Sequence, residues 1–116
     1  MAITQEELDN YTTRLSGLHD KLNPEGLYKR KDELEKKAGD PQLWSDEANA
    51  KKVMQELAHL KTLLGDLNSV DENLKSLTDL VKMQEEAKDT SLDNDILSLN
   101  RTVSKQLDKL ELVTFL

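Results

Sequence analysis

Apolar residues recur along most of the chain at intervals of three and four, the spacing that places side chains on one face of an α-helix. The first such run carries Leu8, Tyr11, Leu15, Leu18 and Leu22. Thr4 and Glu7, at the start of this run, have the spacing of a capping box. The pattern therefore predicts a first helix that begins just after Thr4 and ends near Leu22.

A second, shorter helix is predicted to begin at Asn23-Pro24. Asparagine caps helix N-termini well, and proline suits the first helical position because its missing N–H would have no partner there. The apolar face of this helix is thin and carries Leu27, Leu34 and Ala38. Gly39 is expected to end the helix, as glycine often does.

The sequence DPQLWSD at 40–46, the corner segment, then interrupts the helical pattern and contains the only tryptophan. Asp40-Pro41 predicts a short helical turn, and Ser45 is expected to cap the next helix. We expect Leu43 and Trp44 to insert beneath a bend, with Trp44 closing the end of a slender bundle. Stacking of Trp44 on a ligand is the alternative role.

The stretch from Asp46 to about Lys88 contains no proline and one glycine, Gly65. Its apolar stripe keeps the helical alternation throughout and carries Val53, Leu57, Leu60, Leu64, Leu67, Val70, Leu74, Leu77 and Val81. This regularity predicts one continuous helix of about 40 residues. Gly65 marks either a bend or a close contact with another helix.

A turn capped by Thr90 or Ser91 is predicted to lead into the last helix, whose stripe carries Leu92, Ile96, Leu99, Val103, Leu107 and Leu110. An apolar tail follows, with Val113, Phe115 and Leu116, and we expect it to pack against a segment beyond Leu116. The predicted fold is all-α: an elongated antiparallel helical bundle or coiled-coil hairpin with two shorter N-terminal helices. Residues 1–116 are expected to form a single helical domain.

Composition narrows the functional classes. The formal net charge is −7, 34% of residues are charged, and only 3% are aromatic. An acidic chain is a poor candidate for tight nucleic-acid binding as a whole, because phosphate contacts need clustered lysine and arginine. The absence of cysteine excludes disulfides and thiol chemistry. No stretch has the pattern of a signal peptide or a membrane span, so we expect a cytoplasmic protein.

Candidate chemistry is sparse. Glu56 and His59 have the Glu-x-x-His spacing of di-iron bundles, but a second copy is missing, so a solvated helix face is the expected role. The basic run YKRKDELEKK carries Lys29, Arg30, Lys31, Lys36 and Lys37. Such a run is usually a solvated face, and contact with phosphate in a large complex is the alternative. We expect no catalytic, cofactor-binding or metal-binding residue and no small-molecule substrate, and the sequence singles out no binding residue.

The segment LYKRKDELEKKAGDPQLWSDEANAKKVMQELAHLKTLL resembles the N-terminal helical domain of bacterial class I peptide chain release factors of the release factor 2 type. The resemblance rests on the corner Asp40, Pro41, Trp44 and Asp46, followed by Ala50 and then by Glu56 and Leu60 in a leucine-rich helix. It continues more loosely through NRTVSKQLDKLELVTFL and so covers nearly the whole chain.

The resemblance implies a role in stop-codon-dependent translation termination. Its implied partners are the ribosome near the stalk base, release factor 3, and the remainder of the factor beyond Leu116. The Gly-Gly-Gln motif for hydrolysis and the Ser-Pro-Phe motif for codon reading, which the family carries, are absent from these 116 residues. The chain is therefore expected to be a docking and positioning element rather than an enzyme. A free-standing coiled-coil adaptor or oligomerisation module is the alternative.

Overall fold

A computed structural model of the chain describes residues 3–88 and 90–116 and confirms the all-α fold class. Its four α-helices are α1 (Gln5–Leu22), α2 (Pro24–Ala38), α3 (Glu47–Ala87) and α4 (Asp93–Phe115). A short 3₁₀ helix, Pro41–Ser45, joins α2 to α3. Within the described residues, no helix is both long and apolar enough to cross a membrane.

The helices belong to two compact units. The three-helix unit contains α1 up to Lys21, the part of α3 from Asp66 onward, and α4. The hairpin unit, residues 22–65, contains α2, the 3₁₀ helix and the first part of α3. The predicted long helix is confirmed, because α3 runs unbroken for 41 residues.

In the three-helix unit, α4 runs antiparallel to α3. Asp66 pairs with Lys109 at 3.3 Å, whereas Gln84, much later in α3, bonds to Asp93 at the start of α4 at 2.8 Å. The start of this part of α3 thus lies beside the end of α4, and the end of α3 lies beside the start of α4. This order confirms the predicted antiparallel hairpin. The buried stripe of this unit includes Leu8, Leu18, Leu67, Val70, Leu74, Leu77, Val81, Ile96, Val103, Leu107 and Leu110. Removing these side chains from water is the main stabilising contribution.

In the hairpin unit, α2 packs against the first part of α3 through a small apolar cluster. Its buried members are Leu34, Leu43, Ala50, Val53, Leu57 and Leu60, with Leu27 packed against them. Leu34 is the one residue of α2 that is fully buried. The thin apolar face predicted for this helix is therefore confirmed.

The helix starts match the sequence only in part. Thr4 caps α1 as predicted, because its Oγ1 accepts the backbone N–H of Glu7 at 3.1 Å. Asn23 precedes α2 with a left-handed backbone (φ 51°) and makes no side-chain capping bond, so its capping role is wrong. Asparagine fits this position because it tolerates positive φ better than most residues.

Two further predicted caps are wrong. Asp46 rather than Ser45 caps α3, since its Oδ1 accepts the N–H of Asn49 at 3.2 Å. The helix α4 begins at Asp93, so its N-cap position is occupied by Leu92 and not by Thr90 or Ser91. The side chain of Leu92 makes no capping bond. The acidic first turn of α4 instead complements the positive end of the helix dipole.

Neither Gly39 nor Gly65 occupies a position that only glycine could take. Gly39 ends α2 as expected, but with φ −83° rather than a left-handed turn. A Cβ placed at Gly65 would meet nothing within 4 Å, so no close helix contact requires a glycine there. Of the two explanations for Gly65, a close contact is wrong.

Candidate binding surface at the corner

The corner segment is held by a chain of local hydrogen bonds. The Asp40 carboxylate accepts the backbone N–H of Gln42 at 3.0 Å, which caps the 3₁₀ helix as predicted. The Ser45 hydroxyl donates to the Gln42 carbonyl at 2.7 Å. Asp46 then leaves the 3₁₀ helix with an extended backbone and caps α3. These bonds give the corner segment a defined shape between two helices.

The prediction that Trp44 closes the end of the bundle is wrong. Leu43 is 9% exposed and belongs to the apolar cluster, whereas Trp44 is 54% exposed. A 3₁₀ helix has three residues per turn, so consecutive side chains point about 120° apart and only one of them can face the cluster. The leucine takes that place, and the larger ring remains at the surface.

Trp44 is nevertheless anchored. Its indole Nε1–H donates to the carbonyl of Ala38, near the end of α2, at 3.1 Å. That bond uses the only hydrogen-bonding group of the side chain, because an indole is a donor and nothing else. What remains exposed is an aromatic surface with its polar group already satisfied.

The basic run of α2 is largely neutralised where it begins. Lys29 lies 3.6 Å from Glu25, and Lys31 lies 3.5 Å from Glu35. Arg30 contacts Glu33 at 3.2 Å and also Glu56 of α3. The first three cations of the run thus have acidic partners, which weakens the case for a phosphate contact at that place.

The lysines on either side of the corner segment, unlike the first three cations of the basic run, form no ion pair with any described residue. Lys36 and Lys37 end the basic run, and Lys51 and Lys52 lie early in α3. All four are exposed, and among the residues that the structure describes none has a carboxylate within 4.0 Å. Within that part of the chain the four ammonium groups are thus not held in ion pairs, although Asp40, Asp46 and Glu47 lie in the same stretch and the charge of Lys37 acts on Glu56.

Glu56 is held by Arg30, a contact that sequence reasoning missed. Arg30 Nε donates to Oε2 at 2.6 Å and Nη2 donates to Oε1 at 2.9 Å. These hydrogen bonds hold the pKa of the Glu56 carboxyl below its ordinary value, and the charge of Lys37 adds to the effect. The same bonds raise the pKa of Arg30. Opposite charges 26 residues apart leave no periodic signal by which the pair could have been found.

The Glu-x-x-His pattern does not assemble a metal site. His59 is exposed on α3, and Glu56 is engaged by the guanidinium of Arg30. Within residues 3–88 and 90–116, no group of three histidine or acidic side chains converges as a metal site would require. His59 thus lies on a solvated helix face, whereas Glu56 is half-buried and paired with Arg30.

Charge is distributed unequally between the two units. Residues 22–65 contain eight lysines and arginines and eight acidic residues, so the hairpin unit is neutral. The remaining sequence contains eight basic and fifteen acidic residues and carries the whole net charge of −7. The acidic character of the chain is thus absent from the unit that bears Trp44.

Comparison with known proteins assigns the family. The family model described as the PCRF domain matches residues 27–116. "Peptide chain release factor 2" of Chloroflexus aggregans is 30% identical over 112 residues, covering 97% of this chain and 30% of that protein. The same-named protein of Corynebacterium glutamicum strain R is 32% identical and covers 95% of this chain and 29% of its own length.

A third relative, "Peptide chain release factor 2" of Rickettsia bellii, is 36% identical over 87 residues, which cover 72% of this chain and 24% of that protein. The chain therefore spans about 30% of the length of the relatives that match it over nearly all its residues. The resemblance found in the corner segment and the leucine-rich helix is confirmed, and the chain belongs to the PCRF domain family found in peptide chain release factor 2 proteins.

Proposed function

We propose that this chain is the ribosome-docking and positioning part of a peptide chain release factor that acts in stop-codon-dependent translation termination in the cytoplasm. The observation that carries the proposal is the family match over residues 27–116, together with release factor 2 relatives that align with nearly all of the chain. The 116 residues contain neither Gly-Gly-Gln nor Ser-Pro-Phe. The proposed role is accordingly binding rather than hydrolysis.

The partners proposed are the stalk base of the ribosome, release factor 3 and the remainder of a release factor. The last of these is supported by the end of α4, where an apolar patch is exposed: Leu112, Val113, Phe115 and Leu116. Exposed apolar side chains in a contiguous run commonly mark a protein contact. The relatives are about three times as long as this chain, so they contain further structure that can cover the patch.

Cosedimentation of the labelled chain with ribosomes tests the proposal. We expect binding that full-length release factor 2 displaces and that is lost on ribosomes depleted of the stalk-base protein. Equal binding to intact and depleted ribosomes would reject the stalk base as the partner. No binding at any concentration up to about 100 μM, which corresponds to roughly −5.5 kcal/mol, would reject docking by this chain alone.

The exposed apolar patch on α4 also supports a second candidate function, that of a self-associating coiled-coil module. Sedimentation equilibrium distinguishes the two. A module that functions as an oligomer stays associated on dilution to micromolar concentration, whereas a docking domain is monomeric there. Leu112→Lys, at an exposed position of the patch, would dissociate an oligomer without removing a core side chain.

A further inference from the structure

We infer that the corner of the hairpin unit binds unpaired RNA, with Trp44 stacking on an exposed base and the neighbouring lysines contacting phosphates. The inference deepens the proposed function and rests on it for the source of the RNA, which is the ribosome. It joins two alternatives that the sequence left open, stacking by Trp44 and a phosphate contact by the end of the basic run, on one surface: the corner segment with Lys36, Lys37, Lys51 and Lys52.

The first observation is an aromatic ring that is both exposed and fixed. Trp44 is 54% exposed, while its indole N–H is bonded to the Ala38 carbonyl at 3.1 Å. Its neighbour Leu43 is buried in the apolar cluster and fixes the backbone on which the ring stands. Little side-chain freedom remains to be lost when a flat partner stacks on the ring, and such preorganisation favours binding.

The second observation is charge. Four exposed lysines in the sequence on either side of the corner segment form no ion pair within 4.0 Å among the described residues, whereas the three cations earlier in α2 do. Two carboxylates of the corner, those of Asp40 and Asp46, accept backbone N–H groups at helix starts. The negative charge of Asp46 is partly offset by the positive end of the 41-residue α3.

Together these features favour RNA over a protein partner. Single-stranded nucleic acid is bound by aromatic side chains that stack on bases and by lysines or arginines that follow the backbone. A protein contact of the hot-spot kind would instead place the tryptophan in a largely uncharged surround. The net charge of −7 does not oppose the inference, because the hairpin unit itself is neutral.

Trp44 is the only tryptophan, so the intrinsic fluorescence of the chain reports on this ring alone. We would titrate the 116-residue chain with a uridine octanucleotide and, as the control, with an eight-base-pair RNA duplex. Stacking requires an unpaired base, so the single strand is expected to quench the fluorescence at concentrations where the duplex does not. Equal quenching, or none with either RNA, would overturn the inference.

Variants measure the contributions of the Trp44 ring and of the lysines to RNA binding separately. Trp44→Ala is expected to weaken binding of the labelled octanucleotide, followed by anisotropy, by about 5- to 150-fold, and Trp44→Phe by less. Lys36→Gln combined with Lys52→Gln should reduce the slope of log affinity against log salt by about 1.4, roughly 0.7 for each phosphate contact. Lys75→Gln combined with Lys82→Gln, at exposed positions outside the hairpin unit, is the matched control and should change neither quantity.

Ribosome cosedimentation of the same variants distinguishes failure of the inference from failure of the proposed function. Ribosome binding that does not depend on Trp44, together with no quenching by the octanucleotide, would overturn the RNA contact and leave docking intact. Ribosome binding that is lost in Trp44→Ala without quenching by RNA would identify a protein partner and also overturn it. Quenching by RNA without ribosome binding would support the corner as an RNA site and reject ribosome docking.

Discussion

Arg30 of α2 and Glu56 of α3 form a two-pronged ion pair across the hairpin unit, with donor–acceptor distances of 2.6 Å and 2.9 Å. The same guanidinium reaches Glu33 at 3.2 Å through Nη1. Arginine suits this place because its planar donors match both oxygens of a carboxylate, which a lysine cannot do. The pair thus joins α2 to the first part of α3, which also pack together through the apolar cluster.

The pair should show measurable coupling in a double-mutant cycle of Arg30→Ala and Glu56→Ala, followed by urea unfolding. Both side chains are about 41% exposed, so solvent screens the pair and the coupling is expected to decrease at high salt. The pair Lys29–Glu25, which is more exposed and 3.6 Å apart, is the control and should couple less. Coupling no larger than that of the control would show that the two-pronged geometry contributes nothing in solution.

The same pair gives a pH dependence of known sign. The folded-state pKa of Glu56 is lowered below the ordinary value of 4.5, so the pair stabilises the fold above the unfolded pKa and this contribution is lost as pH falls through the folded pKa. Between pH 7 and 5 the stability difference between wild type and Glu56→Gln should therefore be constant. Below about pH 4.5 it should shrink. A difference that grows on acidification would contradict the lowered pKa.

Truncations in the corner segment should follow burial rather than side-chain size. Leu43→Ala removes a buried member of the apolar cluster and is expected to cost about 2–5 kcal/mol of unfolding free energy. Trp44→Ala removes a half-exposed ring and one hydrogen bond and is expected to cost about 1–2 kcal/mol. Urea denaturation of both variants checks the order. A larger loss for Trp44→Ala would restore the buried ring expected from the sequence.

Features that repeat along the chain could be predicted from the sequence, because many residues report on each of them. The leucine spacing of α3 indicated both the length of the helix and its buried face, and all nine stripe positions are buried. One substitution in such a stripe changes little in the pattern. The fold class and the antiparallel hairpin followed from that redundancy.

Features that depend on a single residue or on a distant contact could not be predicted in the same way. The direction of Trp44 depends on the three-residue turn of the 3₁₀ helix, and hydrophobicity alone assigned it to the interior. The partner of Arg30 lies 26 residues away on another helix. Ser45 and Asp46 are both good caps, and only the backbone at the end of the 3₁₀ helix decides between them.

Gly65→Ala is expected to stabilise the chain by up to about 1 kcal/mol, because alanine has the higher helix propensity and the added Cβ meets nothing within 4 Å. Gly17→Ala in α1 is the matched control, with equally open space. Gly26→Ala should gain less, since its Cβ would lie 2.8 Å from Asn23 Nδ2 and displace that side chain. Thermal unfolding of the three variants checks the order. A destabilising Gly65→Ala would mean that α3 needs a glycine backbone at that point.

The half-buried amide of Gln106 is expected to set the register of α3 against α4. Its Nε2 donates to the Ser69 hydroxyl at 2.9 Å, and its Oε1 accepts the Asn73 amide at 3.0 Å. Gln106→Leu would leave both α3 side chains without these partners, at an expected cost of about 1–2 kcal/mol of unfolding free energy. Gln55→Leu, at an exposed position of α3, is the control and should stay within about 0.5 kcal/mol of wild type.

A double variant separates lost hydrogen bonds from lost packing at this site. If unpaired polar groups cause the cost, Gln106→Leu combined with Asn73→Leu should be more stable than Gln106→Leu alone, because the second change removes a group that has no partner. If the amide of Gln106 only fills space, the second change should add a further loss. Urea unfolding of the two variants decides between these causes, and the second outcome would reject a register-setting role for the Gln106 hydrogen bonds.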